Sequence, residues 1–190
     1  MATIRLELRG DVQAREALLD RVWGDQRFHK TAQRLREGRM PADGLSFVAE
    51  EGNCVVGTVR LWHINAGPAR PALLLGPLAI DDARRGLGIG AQLMQRATEA
   101  ARRLGHPAIL LVGDTSYYGR FGFSAEKTAA LWLPGPYERD RLLAQELAPG
   151  ALDGARGLIS PTGRAEPRPA LSALIAALPR EHHVSAPRAA

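Results

Sequence analysis

The sequence predicts an α/β (α+β) domain in which a mixed sheet carries helices on both faces. Three observations lead there. Residues 45–49 and 54–64 are rich in valine, leucine and aromatics, and Glu51-Gly52-Asn53 between them is a tight-turn signal, the pattern of an antiparallel hairpin. Residues 72–80 are almost continuously apolar, as expected of a central strand covered on both faces. A glycine-rich turn then opens an amphipathic helix over residues 90–104.

The elements follow in order. Residues 4–8 alternate apolar and charged side chains and predict a half-buried strand, ended by Gly10-Asp11, where Asp11 is placed to cap a helix. Over residues 12–23, Val12, Ala14, Ala17, Leu18, Leu19 and Val22 fit one helical face. Residues 28–36 predict a weaker second helix, stopped by Gly38 and Pro41. After the hairpin, Gly67-Pro68-Ala69-Arg70-Pro71 is a turn. Gly76-Pro77 then interrupts the central strand, and because proline cannot donate to a ladder, a splay or bulge should leave backbone groups of Leu78, Ala79 and Ile80 free.

In the helix over 90–104, Leu93, Met94, Ala97, Ala100, Ala101 and Leu104 lie on one side, and Gly105 is a common kind of stop. Residues 107–112 predict a short strand ending at Gly113-Asp114. Residues 117–121 predict a short helix or turn leading into Gly122-Phe123, and residues 142–147 a last strand. Prolines punctuate the remainder, so loose structure is expected after about residue 160, apart from a short helix over 171–178. The chain therefore divides into a folded domain, 1–160, and a Pro/Ala-rich tail, 161–190.

Composition narrows the function. With 190 residues, 45% of them hydrophobic, the chain can bury one substantial core, and no stretch approaches the roughly 20 apolar residues needed to cross a bilayer. No membrane association is expected. The start alternates with charge instead of building a signal-peptide core, so the expected location is cytoplasmic. Cys54 is the only cysteine, which excludes an internal disulfide and a multi-thiolate metal site, and predicts a small buried hydrophobe. The net charge of +5 comes from scattered arginines with no aromatic-interleaved run, which argues against nucleic acid and suits a polyanionic cofactor. His182-His183, adjacent in a proline-broken tail, does not make a metal site, and no metal is expected.

The strongest chemical signal is Arg84-Arg85-Gly86-Leu87-Gly88-Ile89-Gly90, between a buried strand and a helix. Alternating glycines let the backbone approach a ligand, and the first helical turn presents unpaired N–H groups with partial positive charge, so the loop is a pyrophosphate cradle. Arg84 and Arg85 at its entrance can add charge-assisted contacts to phosphate or remain solvated. A nucleoside-triphosphate loop would need Lys-Ser or Lys-Thr after the last glycine, where Ala91-Gln92 stands; a dinucleotide fold would need a third glycine and an early βαβ unit.

Leu78-Ala79-Ile80, four residues, then Arg85-x-x-Gly88-x-Gly90 resembles the acetyl-CoA motif of the GNAT superfamily, and Tyr117-Tyr118-Gly119-Arg120-Phe121-Gly122-Phe123 resembles its tyrosine segment ending in Gly-Phe. The resemblance spans about residues 4–147 and is closest to a YhbS-like subgroup of bacterial acetyltransferases. It implies a mostly antiparallel sheet, parallel at a central splay. It implies acetyl-CoA as co-substrate, with pantetheine paired to the freed backbone around Leu78, Ala79 and Ile80. The pyrophosphate would be held by amides of Arg85, Gly86, Leu87, Gly88, Ile89 and Gly90, and Tyr118 would lie near the thioester sulfur.

Direct transfer to an amine needs a proton for the departing thiolate, which a phenol such as Tyr118 can supply, and a base for the attacking ammonium. Tyr118 otherwise only packs, and Tyr117 is its runner-up. Residues 72–80 contain no carboxylate, so the base common in relatives cannot be carried over. Asp114 is a substitute, though as a helix cap it has a plainer role; Glu50, Glu51 and His63 are weaker. The acceptor is a small molecule, a peptide or a protein amine, and a homodimer is compatible with the sequence. The alternative, motivated by the missing carboxylate and the tail, is a non-catalytic acyl-CoA-binding regulatory module.

Overall fold

The computed structural model describes residues 1–167. The helix expected over 171–178 and the pair His182-His183 lie outside the described residues.

The sheet runs in the order β1 (Thr3–Leu6), β2 (Ser46–Glu51), β3 (Cys54–Ala66), β4 (Pro71–Ile80), β5 (Ala108–Val112) and β7 (Leu142–Glu146). All neighbours are antiparallel except β4 and β5, which are parallel. The β2–β3 hairpin turns at Gly52 and Asn53, both at positive φ (56° and 63°), the backbone sense that matches strand twist. Cys54 opens β3 directly after this turn and is exposed, not the buried hydrophobe expected, because it sits at the tip of the hairpin opposite Glu51.

Between β4 and β5 only Leu73 pairs with Ile109 and Leu74 with Leu110; beyond that rung the strands part. The break coincides with Gly76-Pro77, a cis peptide, where the register against β3 also shifts, from Leu61↔Leu75 to Val59↔Leu78. Residues 78–80 keep their pairing to β3, so the edge that has no strand partner among the described residues is the one that faces β5.

Helix α3 (Ile89–Arg103) packs Leu93, Met94, Ala97 and Ala101 onto one sheet face, against Val59, Leu61, Leu73 and Ile109. The approach is close: a Cβ on Gly57 would stand 3.1 Å from Leu93 Cδ1 and 2.9 Å from Ile80 Cδ1. The other face packs Trp62, Ile64, Leu74 and Leu110 against Leu35, Leu131, Leu133, Leu152 and Ile159. Helix α1 (Val12–Trp23) lies against β3 and β4, with Arg15 joined through Glu7 to Arg60 of β3.

Several local expectations are corrected. The Asp11 side chain does not cap α1; it accepts from the Leu8 amide (2.7 Å) and Arg5 Nη1 (2.6 Å), fastening the 3-10 turn ahead of the helix. The second helix is broken into α2 (Gln26–His29) and a 3-10 turn (Thr31–Leu35) by the extended backbone of Lys30, because tertiary bonds hold the turn: Thr31 Oγ1 to Pro136 O, and Arg34 Nη1 to Pro134 O at 2.7 Å. The short strands β6 (Leu131–Trp132) and β8 (Gly157–Pro161) were not foreseen; β8 pairs with the far end of β3. Residues 161–166 do not have the loose structure expected after residue 160. Met40 N bonds Arg164 O (2.8 Å), Thr162 N bonds His63 O (3.0 Å) and Glu166 N bonds Gly38 O (2.8 Å), so this segment straps the body.

Candidate functional site

The glycine turn builds a seat of backbone donors. Gly86 and Gly88 take positive φ (81° and 79°), and Gly88 in the left-handed region is the N-cap of α3. The Arg85 amide bonds Asp82 O at 3.3 Å, and the first bond into the helix runs from Gln92 N to Gly88 O. Between them, the amides from Gly86 to Ala91 donate to no backbone carbonyl among the described residues. A Cβ on Gly86 or Gly88 would meet nothing within 4 Å, so the space before the seat is open. The entrance arginines are engaged with the protein: Arg84 Nε with Glu51 (2.5 Å), Arg85 Nη2 with Asp82 (2.7 Å).

Tyr118 ends α4 (Thr115–Tyr118). The Asp114 carbonyl accepts from the amides of Tyr117 and Tyr118, both at 3.0 Å, which starts this helix without a side-chain cap. The Asp114 carboxylate, mostly exposed, lies 3.4 Å from Arg141 instead, so the capping role expected of it is not found. After Phe121, Gly122 adopts the left-handed conformation (φ 84°) and turns Phe123 into the core, where it is 2% exposed and meets the Tyr118 ring edge-on at 6.3 Å. The Gly-Phe pair is thus what anchors the tyrosine segment. Burial, then the neighbouring Tyr117 and Asp114, push the Tyr118 phenol up to about 12.

The two segments meet. Ile80 Cγ1 would lie 3.7 Å, and Tyr117 Oη 2.7 Å, from a Cβ on Gly90, so the tyrosine segment leans on the first turn of α3. Leu78, Ala79 and Ile80 follow the break in β4: Ala79 is buried, whereas Leu78 and Ile80 are half-buried and pack on the α3 side.

A cavity of about 550 Å³ opens at the parting strands. Its walls include Leu75 to Leu78 of β4, Leu111 to Asp114 after β5, and Tyr118. It is roofed by Trp23, Arg27 and Lys30, by Thr31 and Arg36, and by Tyr137, Glu138 and Arg141. None of residues 85–90 lines it, nor do Glu50, Glu51 and His63. Glu50 and Glu51 are held by Arg5 and Arg84, and His63 meets the His106 ring at a tilt of 51°, 5.4 Å between ring centres. Sequence reasoning missed Lys30, Arg36, Glu138 and Arg141, which are brought together only by folding and share no spacing.

The sequence pattern of the acetyltransferase (GNAT) family matches residues 13–123. The protein called "Uncharacterized N-acetyltransferase YhbS" of Escherichia coli K12 is 30% identical over 157 residues, covering 82% of this chain and 93% of that one. The crystal structure of Escherichia coli YhbS in complex with CoA superposes with a TM-score of 0.72 at 29% identity, over 85% of this chain and 89% of that one. A GNAT-family acetyltransferase of Brucella melitensis, crystallised with acetyl-CoA, gives 0.54 at 30% identity, over 76% and 96%.

Proposed function

The chain belongs to the acetyltransferase (GNAT) family, and from that premise we propose how its site moves an acetyl group from acetyl-CoA to an amine. The protein is an N-acetyltransferase with acetyl-CoA as co-substrate; no acceptor follows from the relatives. The observation that carries the site assignment is a juxtaposition: residues 78–80, whose β5-facing edge has no strand partner among the described residues, meet the first turn of α3 at Ile80 and share the cavity with Tyr118 at Leu78.

In this reading the amides from Gly86 to Gly90, with Arg85 at the entrance, hold the pyrophosphate at the positive end of α3. The β5-facing edge of Leu78, Ala79 and Ile80 pairs with the pantetheine arm as an added strand would. The thioester then lies at the parting of β4 and β5, and the amine comes from the cavity. Tyr118, kept neutral by burial, hydrogen-bonds or protonates the departing thiolate. Asp114, in the cavity wall beside Arg141, takes the proton from the attacking ammonium through water, with Glu138 the other carboxylate of the wall. A cytoplasmic location is part of the proposal and suits the exposed free thiol of Cys54. No described helix is long and apolar enough to cross a membrane.

Calorimetry with acetyl-CoA, followed by thiol release across an amine panel, tests this. Saturable binding and sustained acceptor-dependent release are expected. Binding without release by any amine would favour a regulatory module, and no binding would remove the assignment.

A further inference from the structure

The cavity treats two of its cations, Arg36 and Lys30, differently from the rest. Arg27 is met by Glu16 at 2.7 Å and Asp20 at 2.8 Å, and Arg141 has Asp114 and Glu138 at 3.4 and 3.7 Å. Arg36 is 7% exposed and lines the cavity beside Gly76, yet among the described residues no carboxylate lies within ion-pair distance of it. Its Nε, like those of Arg27 and Arg141, is buried with no hydrogen-bond partner among the described residues, so the missing carboxylate is what sets Arg36 apart. Lys30, in the same wall, has its ammonium 3.2 Å from the centre of the Trp23 ring and likewise no carboxylate among the described residues.

Leaving a guanidinium out of water without a counter-charge is costly, and folded proteins seldom do so without a use for it. Burial, then Arg27, pushes Arg36 down to about 10, and burial, then Arg36 and Arg141, lowers Lys30; Arg36 is still charged at neutral pH. The backbone that carries Arg36 is braced on each side. Arg34 bonds Pro134 O, the Arg39 amide bonds Arg36 O at 3.1 Å, and Arg39 Nη1 bonds Gly163 O at 2.8 Å. The backbone that carries the charge is held before anything binds. Cofactor phosphates do not account for it, since the amide seat at the start of α3 contributes nothing to this cavity.

We propose that the acceptor carries an anionic group, a carboxylate or a phosphate, beside its amine, and that Arg36 with Lys30 binds that group and aims the amine at the thioester. The proposal rests on the acetyl-transfer reading. A plain amine arrives as a cation and is repelled by this wall, whereas the planar guanidinium fork matches either oxyanion bidentately. Arg36 and Lys30 are binding residues here and take no part in proton transfer.

The test uses acceptor pairs that share one amine: amino acids against their amides and decarboxylated amines, and phosphoethanolamine against ethanolamine, with thiol release as the readout. The anion-bearing member is expected to have a kcat/KM about 100-fold higher, the size of a buried charge-assisted pair. Arg36→Met should abolish the preference while leaving acetyl-CoA binding intact. Which pair responds identifies carboxylate or phosphate. Neutral amines that serve equally well, on protein that binds acetyl-CoA, overturn the proposal and leave acetyl transfer standing; failure to bind acetyl-CoA removes both.

A second readout needs no turnover. Removing an uncompensated buried charge should raise the melting temperature of the ligand-free Arg36→Met protein by about 3 °C or more. Millimolar glutarate or inorganic phosphate should stabilise the wild type more than the variant. Equal shifts in the two proteins overturn the proposal even if no acceptor in the panel reacts, and the wild-type pair comparison stands if the variant does not fold.

Discussion

Gly113 lies directly against the ring of Tyr118: a Cβ built on Gly113 would stand 2.1 Å from Tyr118 Cε2 and 2.7 Å from Cδ2. No real Cβ is found so close to another carbon, so the missing side chain at the end of β5 is the space in which the phenol sits. Gly113 has no positive φ, so sterics alone set its identity. Gly113→Ala must therefore turn the ring away. We expect a loss of turnover of at least about 10-fold, a stability cost of about 1–3 kcal/mol from overpacking, and acetyl-CoA affinity within a few-fold of wild type. Calorimetry, melting and thiol release on the same preparation separate these. Wild-type turnover in Gly113→Ala would mean the ring position is immaterial.

Tyr118→Phe keeps the ring and removes the hydroxyl. If the phenol is the acid, kcat falls by roughly 100-fold, the lower end of general-acid contributions, and acetyl-CoA binding stays close to wild type. Because burial raises Tyr118 to about 12 from an ordinary 10, the phenol keeps its proton throughout the usual working range. Wild-type rate should rise with pH as the amine deprotonates, with no decline due to Tyr118 below about pH 11. The folded protein holds this proton where the unfolded chain has released it, so the contribution to stability is present below pH 10 and is lost as pH rises toward 12. Tyr118→Phe should lose less stability over that interval. A descending limb near pH 10 in the wild type, absent from the variant, would contradict the raised value.

Gly88→Ala probes the amide seat. The N-cap φ of 79° is left-handed, and the open space beside it removes any clash, so the structural cost is backbone strain alone, about 1–2 kcal/mol. If amides from Gly86 to Gly90 hold the pyrophosphate, a methyl group there weakens acetyl-CoA binding by about 10-fold or more. Unchanged affinity beside the expected loss of stability would move the phosphate site elsewhere.

What could be read from the sequence was whatever has a local cause. The β2–β3 hairpin comes from β-rich runs around Gly52-Asn53, α3 from its periodic Leu93, Met94, Ala97 and Ala101, and the parting of the sheet from Gly76-Pro77. The amide seat was legible because glycines at 86 and 88 have few other uses between a strand and a helix. Elements decided by distant partners were not. Leu131 and Trp132 form a strand only because β8 passes beside them, and Lys30 leaves the helical path because Thr31 and Arg34 are bonded to the 134–136 loop. The cation of Arg36 looked like any other among many arginines. Its distinction, burial with no carboxylate beside it among the described residues, is a property of the fold and has no signature along the chain.

The strap formed by residues 161–166 yields the last prediction. A protein ending at Ser160 loses the bonds from Thr162 N and Gly163 N to His63 O, from Met40 N to Arg164 O, from Arg39 Nη1 to Gly163 O and from Glu166 N to Gly38 O. These bonds clamp the segment just after Arg36, so their loss should both destabilise the domain and loosen the cavity wall. Backbone hydrogen bonds contribute about 0.5–1.5 kcal/mol each, so chain 1–160 should be less stable than chain 1–167 by roughly 3 kcal/mol. Amide exchange should show the difference concentrated at residues 36–42, while the amides at the start of α3, on which nothing in the strap bears, stay as they are. Equal melting temperatures for the two truncations would show that the strap rests on a body that does not need it.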